Sequence, residues 1–548
     1  MRTRILLCVF AGILLSITAR SQQPPELIVY HGKIFTSSTT HPYVQALAIR
    51  GERIVATGDS DKIRALAGPQ TEQLDLGGRT VIPGINDAHI HLEVSPSDTV
   101  ELQFNSLNPT WAEVKRAIAS AAVNARTAVP LLAYIGPSVF MDSVVARDTL
   151  DNLAPGHPVI LASVTGHAYI LNSRALAWLG IRDGQLDPAG GRYERSASGT
   201  LTGVVREYAA LRITRKLADL TSDAEALEQL RNTLSQAAKF GITSLQDMSH
   251  AMAPDRCVAL LAKVPTPIRV RVIRMPLTTP AGRDAQEGRS LPAHPASLIT
   301  VSGTKWVLDG TPVERTFGAR DAGQHWSGMP SDAFFSSLGL TFPLAEIERM
   351  LRESLRNNDQ LMVHVFGYDS AAVMLNAMQA TEGSEVWARK RVRLEHGDGL
   401  FPDLIPRAKQ MGVIVVQNPS HLDVLTIFPG LSLKQAQPLR TLLSDGIPVA
   451  LGSDGPMNPF LNIMFAVTHP DRPSEAITRE QAVIAYTLTS AYAEFAEKDK
   501  GSLEPGKLAD LAVLSQDIFS VSVAELPKTE SVLTMVGGKV VYDAKALR

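Results

Sequence analysis

The stretch VIPGINDAHIHL, residues 81–92, is the starting point for interpreting the rest of the chain. Its apolar run breaks at Pro83-Gly84, and two histidines then follow two residues apart, His89 and His91. Alternate side chains of an extended strand point to the same side. If the segment is a strand, both imidazoles are therefore directed at one point in space.

Seven further apolar or β-branched runs follow this stretch, and helix-patterned sequence follows each of them. Strands that alternate with helices favour parallel βαβ units, and eight such units predict a closed (β/α)₈ barrel. A doubly wound sheet of six or seven strands remains the alternative. The eight predicted strands lie near residues 81–91, 241–247, 267–274, 300–308, 360–366, 391–396, 412–418 and 447–454.

The two ends of the chain are both rich in short β-type runs, such as ELIVYHGKIF and SVLTMVGGKVVYD. We predict that residues 22–82 and 500–548 together form one small sheet domain, with the barrel over 83–499. About 150 residues separate the first two barrel strands, far more than a crossover requires. We therefore predict an inserted α/β subdomain over about 100–235. A second long connection, 309–358, is rich in Gly and aromatic residues and is typical of an active-site loop or lid.

Composition and charge exclude several classes of partner. The chain has 548 residues, of which 45% are hydrophobic and 20% charged, as in an ordinary globular protein. A formal net charge of −2 gives no reason to expect nucleic acid or an anionic membrane surface as a partner. We expect a small-molecule substrate, no nucleic acid and no stable membrane insertion.

The N-terminal segment MRTRILLCVFAGILLSITARS, residues 1–21, has the pattern of a signal peptide. Two arginines precede an apolar core, and small residues stand at Ala19 and Ser21, as a cleavage site requires. We predict cleavage near Ser21 and a periplasmic or secreted protein. An uncleaved anchor is the alternative, although the apolar run is short for a bilayer span. Cys8 lies inside this segment, so Cys257 alone remains and the mature chain has no internal disulfide.

Polar residues stand in or at the C-terminal ends of five of the predicted strands. In a barrel those ends form one rim, where polar residues usually serve catalysis. Neutral imidazoles with a carboxylate suit zinc best, and manganese, iron, nickel or cobalt less well. The predicted metal-site residues are His89, His91, Lys305, His364, His396 and Asp454.

Lys305 is unexpected among these residues, because an ammonium repels a divalent cation. One interpretation is an ordinary lysine that snorkels to solvent or pairs with a carboxylate. Another is reaction of its amine with carbon dioxide, which gives an anionic carbamate that can bridge metals. Glu395, next to His396, is predicted to form a structural salt bridge or to hold a metal ligand in place.

The chain resembles the amidohydrolase superfamily, in the branch that contains N-substituted formamide deformylase. The similarity runs in family order from about residue 25 to 545. Among its segments are VIPGINDAHIHL, SVTGHAYILNSRALAWLGI, SGTLTGVVREYA, GTKWVLDGTPVERT, RVRLEHGDGL, LGSDGPMNP and GSLEPGKLADLAVL. The chain departs from the family pattern after His364, where HVFGYDSA stands in place of HAIGDRA.

This resemblance implies a (β/α)₈ barrel with a β-sandwich formed by both termini. It implies two divalent metal ions, one held by His89 and His91 and the other by His364 and His396. A carboxylated Lys305 would bridge them, and Asp454 would contact the first. It also implies that His167, in the insertion, binds substrate. His421, after the seventh strand, could face the same rim and is predicted to do likewise. For both histidines a purely structural hydrogen-bonding role is the alternative.

The implied chemistry is hydrolysis of an amide-type C–N bond by a hydroxide that bridges the metals. Asp454 would act first as general base and then as general acid. The alternatives are a lactone, carbamate, phosphotriester or other ester hydrolase, a mononuclear deaminase, and a non-catalytic ligand-binding protein. The fold class often forms homo-oligomers, but the sequence identifies neither an interface nor a substrate.

Overall fold

The computed structural model describes residues 23–265, 267–311, 320–321, 324–325, 340–426 and 437–547. The predicted signal peptide over residues 1–21 lies outside these ranges, as does about half of the predicted lid over 309–358. The described part of that segment includes the helix Leu344–Arg356. Across the described ranges, no helix is both long enough and apolar enough to cross a membrane.

Eight parallel strands form a nearly closed barrel and follow one another around it in chain order. After the eighth strand the Asp454 amide donates to the His89 carbonyl at 2.9 Å, which links the last strand to the first. The predicted (β/α)₈ barrel is confirmed, and the doubly wound alternative is wrong. The strands are β1 (Ile85–Ile90), β2 (Ile242–Ser249), β3 (Arg269–Arg274), β4 (Ile299–Val307), β5 (Leu361–Val365), β6 (Arg393–His396), β7 (Ile414–Gln417) and β8 (Val449–Leu451).

The barrel strands are covered by amphipathic helices. The helix before β2, Asp223–Lys239, begins with a capping box in which the Ser222 and Glu225 side chains bond each other's backbone amides. Its buried face includes Leu230 and Leu234, which belong to the barrel core. Other helices around the barrel are Pro254–Leu261, Leu344–Arg356, Tyr368–Thr381, Ser384–Lys390, Ile405–Gln410, Leu439–Ser444, Pro459–Thr468 and Arg479–Ile484.

The stretch 81–92 contributes to two sheets. Thr80–Pro83 pairs with Leu511–Leu514 in a terminal sheet, whereas Ile85–Ile90 is the first barrel strand. Gly84 lies at the junction, where a β-carbon would collide with the Thr243 side chain of β2. The predicted single strand over 81–91 is thus two strands joined by a glycine. The packing around Gly84 leaves no room for a larger residue.

We expect Gly84→Ala to lower the free energy of unfolding by about 1–3 kcal/mol, the usual cost of overpacking a filled core. Gly156→Ala is the matched control, because a β-carbon there has no neighbour within 4 Å. That variant should stay within about 0.5 kcal/mol of the parent. Urea unfolding of both variants checks this, and equal stabilities would contradict the close contact at Gly84.

Both termini build the β-sandwich. One core contains Val29 and Leu47 from the first sheet together with Val81, Leu511 and Leu533 from the second, so the predicted sandwich from both ends is confirmed. The four-stranded sheet has the order Arg53–Gly58, Ala46–Arg50, Leu27–Tyr30, Glu72–Asp75. The six-stranded sheet has the order Lys539–Asp543, Ser531–Val536, Leu511–Leu514, Thr80–Pro83, Lys33–Phe35, Tyr43–Val44.

An α/β unit is inserted between β1 and β2, as predicted. It has apolar cores of its own, one of which includes Val114, Leu131 and Val159. The helix Asp223–Lys239, most of which falls within the predicted 100–235, packs in the barrel core instead. The predicted boundaries of this unit and of the other domains stay predictions. Its six-stranded sheet has the order Gly191–Arg195, Leu201–Glu207, Ala168–Leu171, Val159–Ser163, Leu131–Ile135, Val100–Leu102. Its helices include Trp111–Asn124, Pro137–Phe140, Arg147–Leu153, Ser173–Trp178 and Tyr208–Leu220.

Candidate metal centre

The six predicted metal-site residues come together at the carboxyl-terminal rim of the barrel. His89 lies in β1 and His91 directly follows it, while Lys305, His364 and His396 lie in β4, β5 and β6. Asp454 follows β8 by three residues. A cavity of about 350 Å³ opens at this rim, between the barrel and the insertion. Its lining includes His91, Lys305, His364, His396 and Asp454.

Asp454 is the centre of this cluster. Its Oδ1 lies 3.5 Å from His91 Nε2 and 3.8 Å from His89 Nε2. Its Oδ2 lies 3.7 Å from both His396 Nε2 and His421 Nε2. Two tetrahedral zinc ligands, each about 2.1 Å from the ion, lie about 3.4 Å apart. The spacings are therefore too long for direct hydrogen bonds, and those to His89, His91 and His396 suit donors that share a cation. Ligand atoms of His89, His396 and Asp454 all lie within 4.8 Å of one another.

The local backbone that carries Asp454 is strained and tightly packed. Asp454 has φ 38°, and His396 has φ 69°, in a region that residues other than glycine seldom adopt. Ser453 anchors the turn by donating its amide to Asp87 at 2.9 Å. A β-carbon at Gly452 would lie 2.6 Å from the His89 β-carbon. The sequence LGSDGP thus provides both the room for His89 and the turn that presents Asp454.

Hydrogen bonds fix the orientation of both β1 histidines. His89 Nδ1 donates to Glu395 Oε2 at 2.8 Å, and His91 Nδ1 donates to the Met248 carbonyl at 2.8 Å. Carboxylates and carbonyls only accept, so each Nδ1 carries a hydrogen and each Nε2 keeps its lone pair. Arg393 Nε donates to Glu395 Oε1 at 2.7 Å. The buried side chains of His89, Glu395 and Arg393 thus form one hydrogen-bonded row. Glu395 therefore forms the predicted salt bridge and also orients the His89 ring.

The two histidines of β5 and β6 form the other half of the cluster. Their ring centroids lie 4.4 Å apart. His396 Nδ1 donates to the side-chain oxygen of Asn418 at 3.1 Å, in the amide orientation that satisfies both groups. His364 Nε2 is buried and has no hydrogen-bond partner among the described residues. A buried nitrogen with no partner is costly, and a bound cation would satisfy it. The residues present therefore fit a metal.

Lys305 is enclosed at the bottom of the cavity. Its side chain is only 2% exposed, and Nζ lies 2.9 Å from His89 Nε2. This burial excludes a lysine that snorkels to solvent. Burial lowers the pKa of Lys305 to about 8, against the opposing effect of Asp454 and Glu395. More of the amine is then uncharged near neutral pH than for an ordinary lysine, and the uncharged amine is the form that reacts with carbon dioxide.

Electrostatics keep the carboxylate and the imidazoles in metal-binding form. Burial acts to raise the pKa of Asp454, but the surrounding histidines, His89 and His91 foremost, hold it well below its usual range. Burial, together with Lys305, lowers the pKa of His89. An ionised carboxylate and neutral imidazoles are the protonation states that ligate divalent metals.

His167 and His421 both reach the same rim. His421 Nε2 donates to the Asp454 carbonyl at 2.9 Å, and its ring stacks on that of His396 with centroids 5.6 Å apart. His167, from the insertion, lines the cavity and lies 4.8 Å from the His364 ring, centroid to centroid. Neither contact assigns a role in substrate binding, which stays a prediction for both residues.

Several polar residues at the site were not predicted from the sequence, and two of them lie beside predicted ligands. His250 directly follows β2, lines the cavity and lies 4.5 Å from the His91 ring. Asp309 follows β4 by two residues, and its Oδ1 lies 3.6 Å from His364 Nε2. It also accepts hydrogen bonds from the amide of Gly367 at 2.7 Å and the hydroxyl of Ser370 at 2.5 Å. Both residues could have been found by the strand-end rule that identified the others.

Comparison with known proteins places the chain in a family. A model of the amidohydrolase family matches residues 72–542. N-substituted formamide deformylase of Arthrobacter pascens is 26% identical, over 95% of this chain and 99% of that protein. Protein LONG AFTER FAR-RED 3 of Arabidopsis thaliana is 27% identical, over 96% of this chain and 94% of its own length.

The fold has relatives of known structure. An uncharacterized metal-dependent hydrolase from Pyrococcus horikoshii superposes with a TM-score of 0.67 at 20% identity, over 91% of this chain and 99% of that one. At that identity the similarity concerns the fold, and it agrees with the barrel described above. The family match over most of the chain confirms the resemblance inferred from the motifs. The chain therefore belongs to the amidohydrolase family and is a metal-dependent hydrolase that acts on carbon–nitrogen bonds.

Proposed function

We propose that this protein hydrolyses the C–N bond of a small N-substituted amide, with formamides as the first class to test. The observation that carries the proposal is the position of Asp454, whose carboxylate lies 3.5–3.8 Å from the Nε2 atoms of four histidines. The formamide class is suggested by the deformylase that the chain resembles over nearly its whole length.

Two divalent metals, zinc by preference, are proposed as the cofactors. His89 and His91 would hold one ion and His364 and His396 the other, with a carboxylated Lys305 between them and Asp454 on the first. A metal pair held there supplies a water of lowered pKa and polarises the scissile carbonyl. Two observations support this assignment: His364 Nε2 is buried without a hydrogen bond to any described residue, and the pKa of Lys305 is lowered.

The chain's own groups then move the proton and hold the substrate. Asp454, kept ionised by the surrounding histidines, accepts a proton from the attacking water on a carboxylate oxygen. It returns that proton to the departing nitrogen as the C–N bond breaks, so the products are a carboxylic acid and an amine. His167, beside the His364 ring, and His421, beside the His396 ring, are proposed to hold the substrate's polar groups.

One alternative has an observation in its favour. Ligand atoms of His89, His396 and Asp454 cluster closely enough for a single ion, which a mononuclear deaminase would use. One metal per chain, with Lys305 unmodified, would favour that reaction. Ester, lactone, carbamate and phosphotriester hydrolysis share the same nucleophile and are separated only by substrate profile.

Export is proposed as well, on the pattern of residues 1–21 alone. The mature enzyme would then begin at about residue 22. N-terminal sequencing of the protein recovered from the periplasm or culture medium of the native host tests the proposed cleavage near Ser21.

Metal removal tests the proposed function. The purified protein is analysed for metal and assayed on formamides, other amides, esters, lactones, carbamates, phosphotriesters and aminopurines, before and after chelation. We expect two metals per chain, hydrolysis strongest on amides, loss of turnover with the chelator and recovery on addition of zinc. A metal-free protein that keeps full activity, or a loaded protein that hydrolyses no amide, would contradict the proposal.

A further inference from the structure

Glu207 stands at an unusual position in the insertion. It ends the strand Leu201–Glu207 and directly precedes the helix Tyr208–Leu220, with φ 51° and ψ −127°. A residue with a β-carbon seldom adopts this conformation, and such outliers collect at functional sites. The Glu207 side chain is also completely buried. A buried carboxylate on a strained backbone is expensive, which calls for an explanation.

Two hydrogen bonds join Glu207 to His167. The Glu207 amide donates to the His167 carbonyl at 2.8 Å, and His167 Nδ1 donates to Glu207 Oε2 at 2.7 Å. Both the backbone amide and the side-chain carboxylate of Glu207 are thus bonded to His167. These bonds connect the end of one insertion strand to the residue just before another, Ala168–Leu171.

The same turn is fixed to the barrel. Tyr208, the next residue, is fully buried, and its hydroxyl oxygen accepts the Val307 amide at 2.9 Å. Val307 ends β4, the strand that carries Lys305. The position of Glu207 is therefore set relative to the metal-site strands as well as to the insertion.

The bond to Glu207 determines which edge of the His167 ring stays available to other groups. A carboxylate only accepts, so Nδ1 carries the hydrogen, and the edge with Nε2 is directed away from Glu207. The ring lies 4.8 Å from the His364 ring and lines the cavity together with Lys305 and Asp454.

We infer that Glu207 is a positioning residue that holds His167 in the Nδ1–H tautomer and directs its Nε2 edge at the substrate. This inference rests on the proposed function, because it assumes that the cavity binds the substrate of that reaction. It explains the strain and the buried charge of Glu207, since a mobile histidine at the end of a loop would have to be ordered at each turnover.

The test uses 4-nitroformanilide, a chromogenic formamide, with the metal-loaded full chain. We expect Glu207→Gln to lower kcat/KM by about 10- to 100-fold, the usual effect of losing a group that orients an active-site residue. Metal content should not change. Glu194→Gln is the control, because Glu194 lies on a neighbouring strand and pairs with Arg206 at 2.5 Å; its activity should equal that of the parent.

A double-mutant cycle shows whether Glu207 acts through His167. We expect His167→Asn with Glu207→Gln to be no slower than His167→Asn alone, because the second change removes a partner already lost. His167→Asn leaves the strained turn intact and serves if Glu207→Gln does not fold. Additive effects, or full activity of either single variant, would overturn the inference and leave the proposed function standing.

A spectroscopic readout does not depend on turnover. Strong imidazole–carboxylate hydrogen bonds give far-downfield proton resonances, and we expect one that disappears in His167→Asn and shifts in Glu207→Gln. Failure of the parent protein to hydrolyse any amide would contradict the proposed function and with it the substrate-directed role of His167, and this resonance would still decide whether Glu207 holds the ring. Its absence from the parent would overturn the Glu207–His167 bond.

Discussion

Asp454→Asn is expected to lower kcat by about 10²- to 10⁴-fold, the range over which a general acid–base group contributes. Asparagine keeps the size of the side chain and one oxygen near His89 and His91, but it cannot take up a proton. The measurement is kcat on the best amide of the panel, with bound metal determined on the same sample. Metal content decides whether the loss comes from proton transfer or from an emptied site.

Asp445→Asn is a suitable control, because Asp445 is exposed and precedes β8, whereas Asp454 follows that strand at its other end. It should leave kcat and metal content unchanged. Full activity of metal-loaded Asp454→Asn would contradict the proposed proton transfer, whereas proportionate loss of metal and activity would reassign Asp454 to a purely structural ligand.

The barrel could be predicted because its signals are local. Each of the eight strands is an apolar run of ordinary length, and parallel βαβ connectivity follows from alternation with helices. The division of 81–91 could not be predicted. Pro83-Gly84 marks a break, but Thr80–Pro83 joins the terminal sheet only because Leu511–Leu514, more than four hundred residues later, pairs with it.

The site was predictable to the extent that it obeys a positional rule. Histidines at the ends of β1, β5 and β6 had to meet once those strands formed a barrel. The contacts that orient them could not be read in the same way. Glu395 reaches His89 across the barrel interior, and Glu207 reaches His167 through strand pairing inside the insertion.

For a whole helix, too, the sequence does not show which part of the fold it packs against. The pattern of DAEALEQLRNTLSQAAKFG, residues 223–241, predicts a helix, and the structure has one over Asp223–Lys239. Amphipathic spacing shows that one face is buried but does not show against what. The structure packs that face into the barrel core, so the helix belongs with β2 rather than with the sheet of the insertion.

Lys305→Met is expected to reduce bound metal from two ions per chain to about one and to lower kcat by about 10³-fold. The figure corresponds to a loss of several kcal/mol of charge stabilisation, at 1.36 kcal/mol for each factor of ten. Methionine fills the same buried space without an amine, so no anion can form between two cations. Metal analysis and kcat are measured together, with the exposed Lys409→Met as control.

A carbamate on Lys305 can be detected directly. After equilibration with ¹³C-bicarbonate, the parent protein should show a slowly exchanging carbamate carbon that is absent from Lys305→Met and present in Lys409→Met. Burial favours the modification, because the 2% exposed amine has a pKa lowered to about 8 and is shielded from bulk water. If Lys305→Met keeps full activity with one metal, the two-metal proposal is wrong. His89, His396 and Asp454 would then be the ligands of a mononuclear enzyme, since their ligand atoms already lie close enough for one ion.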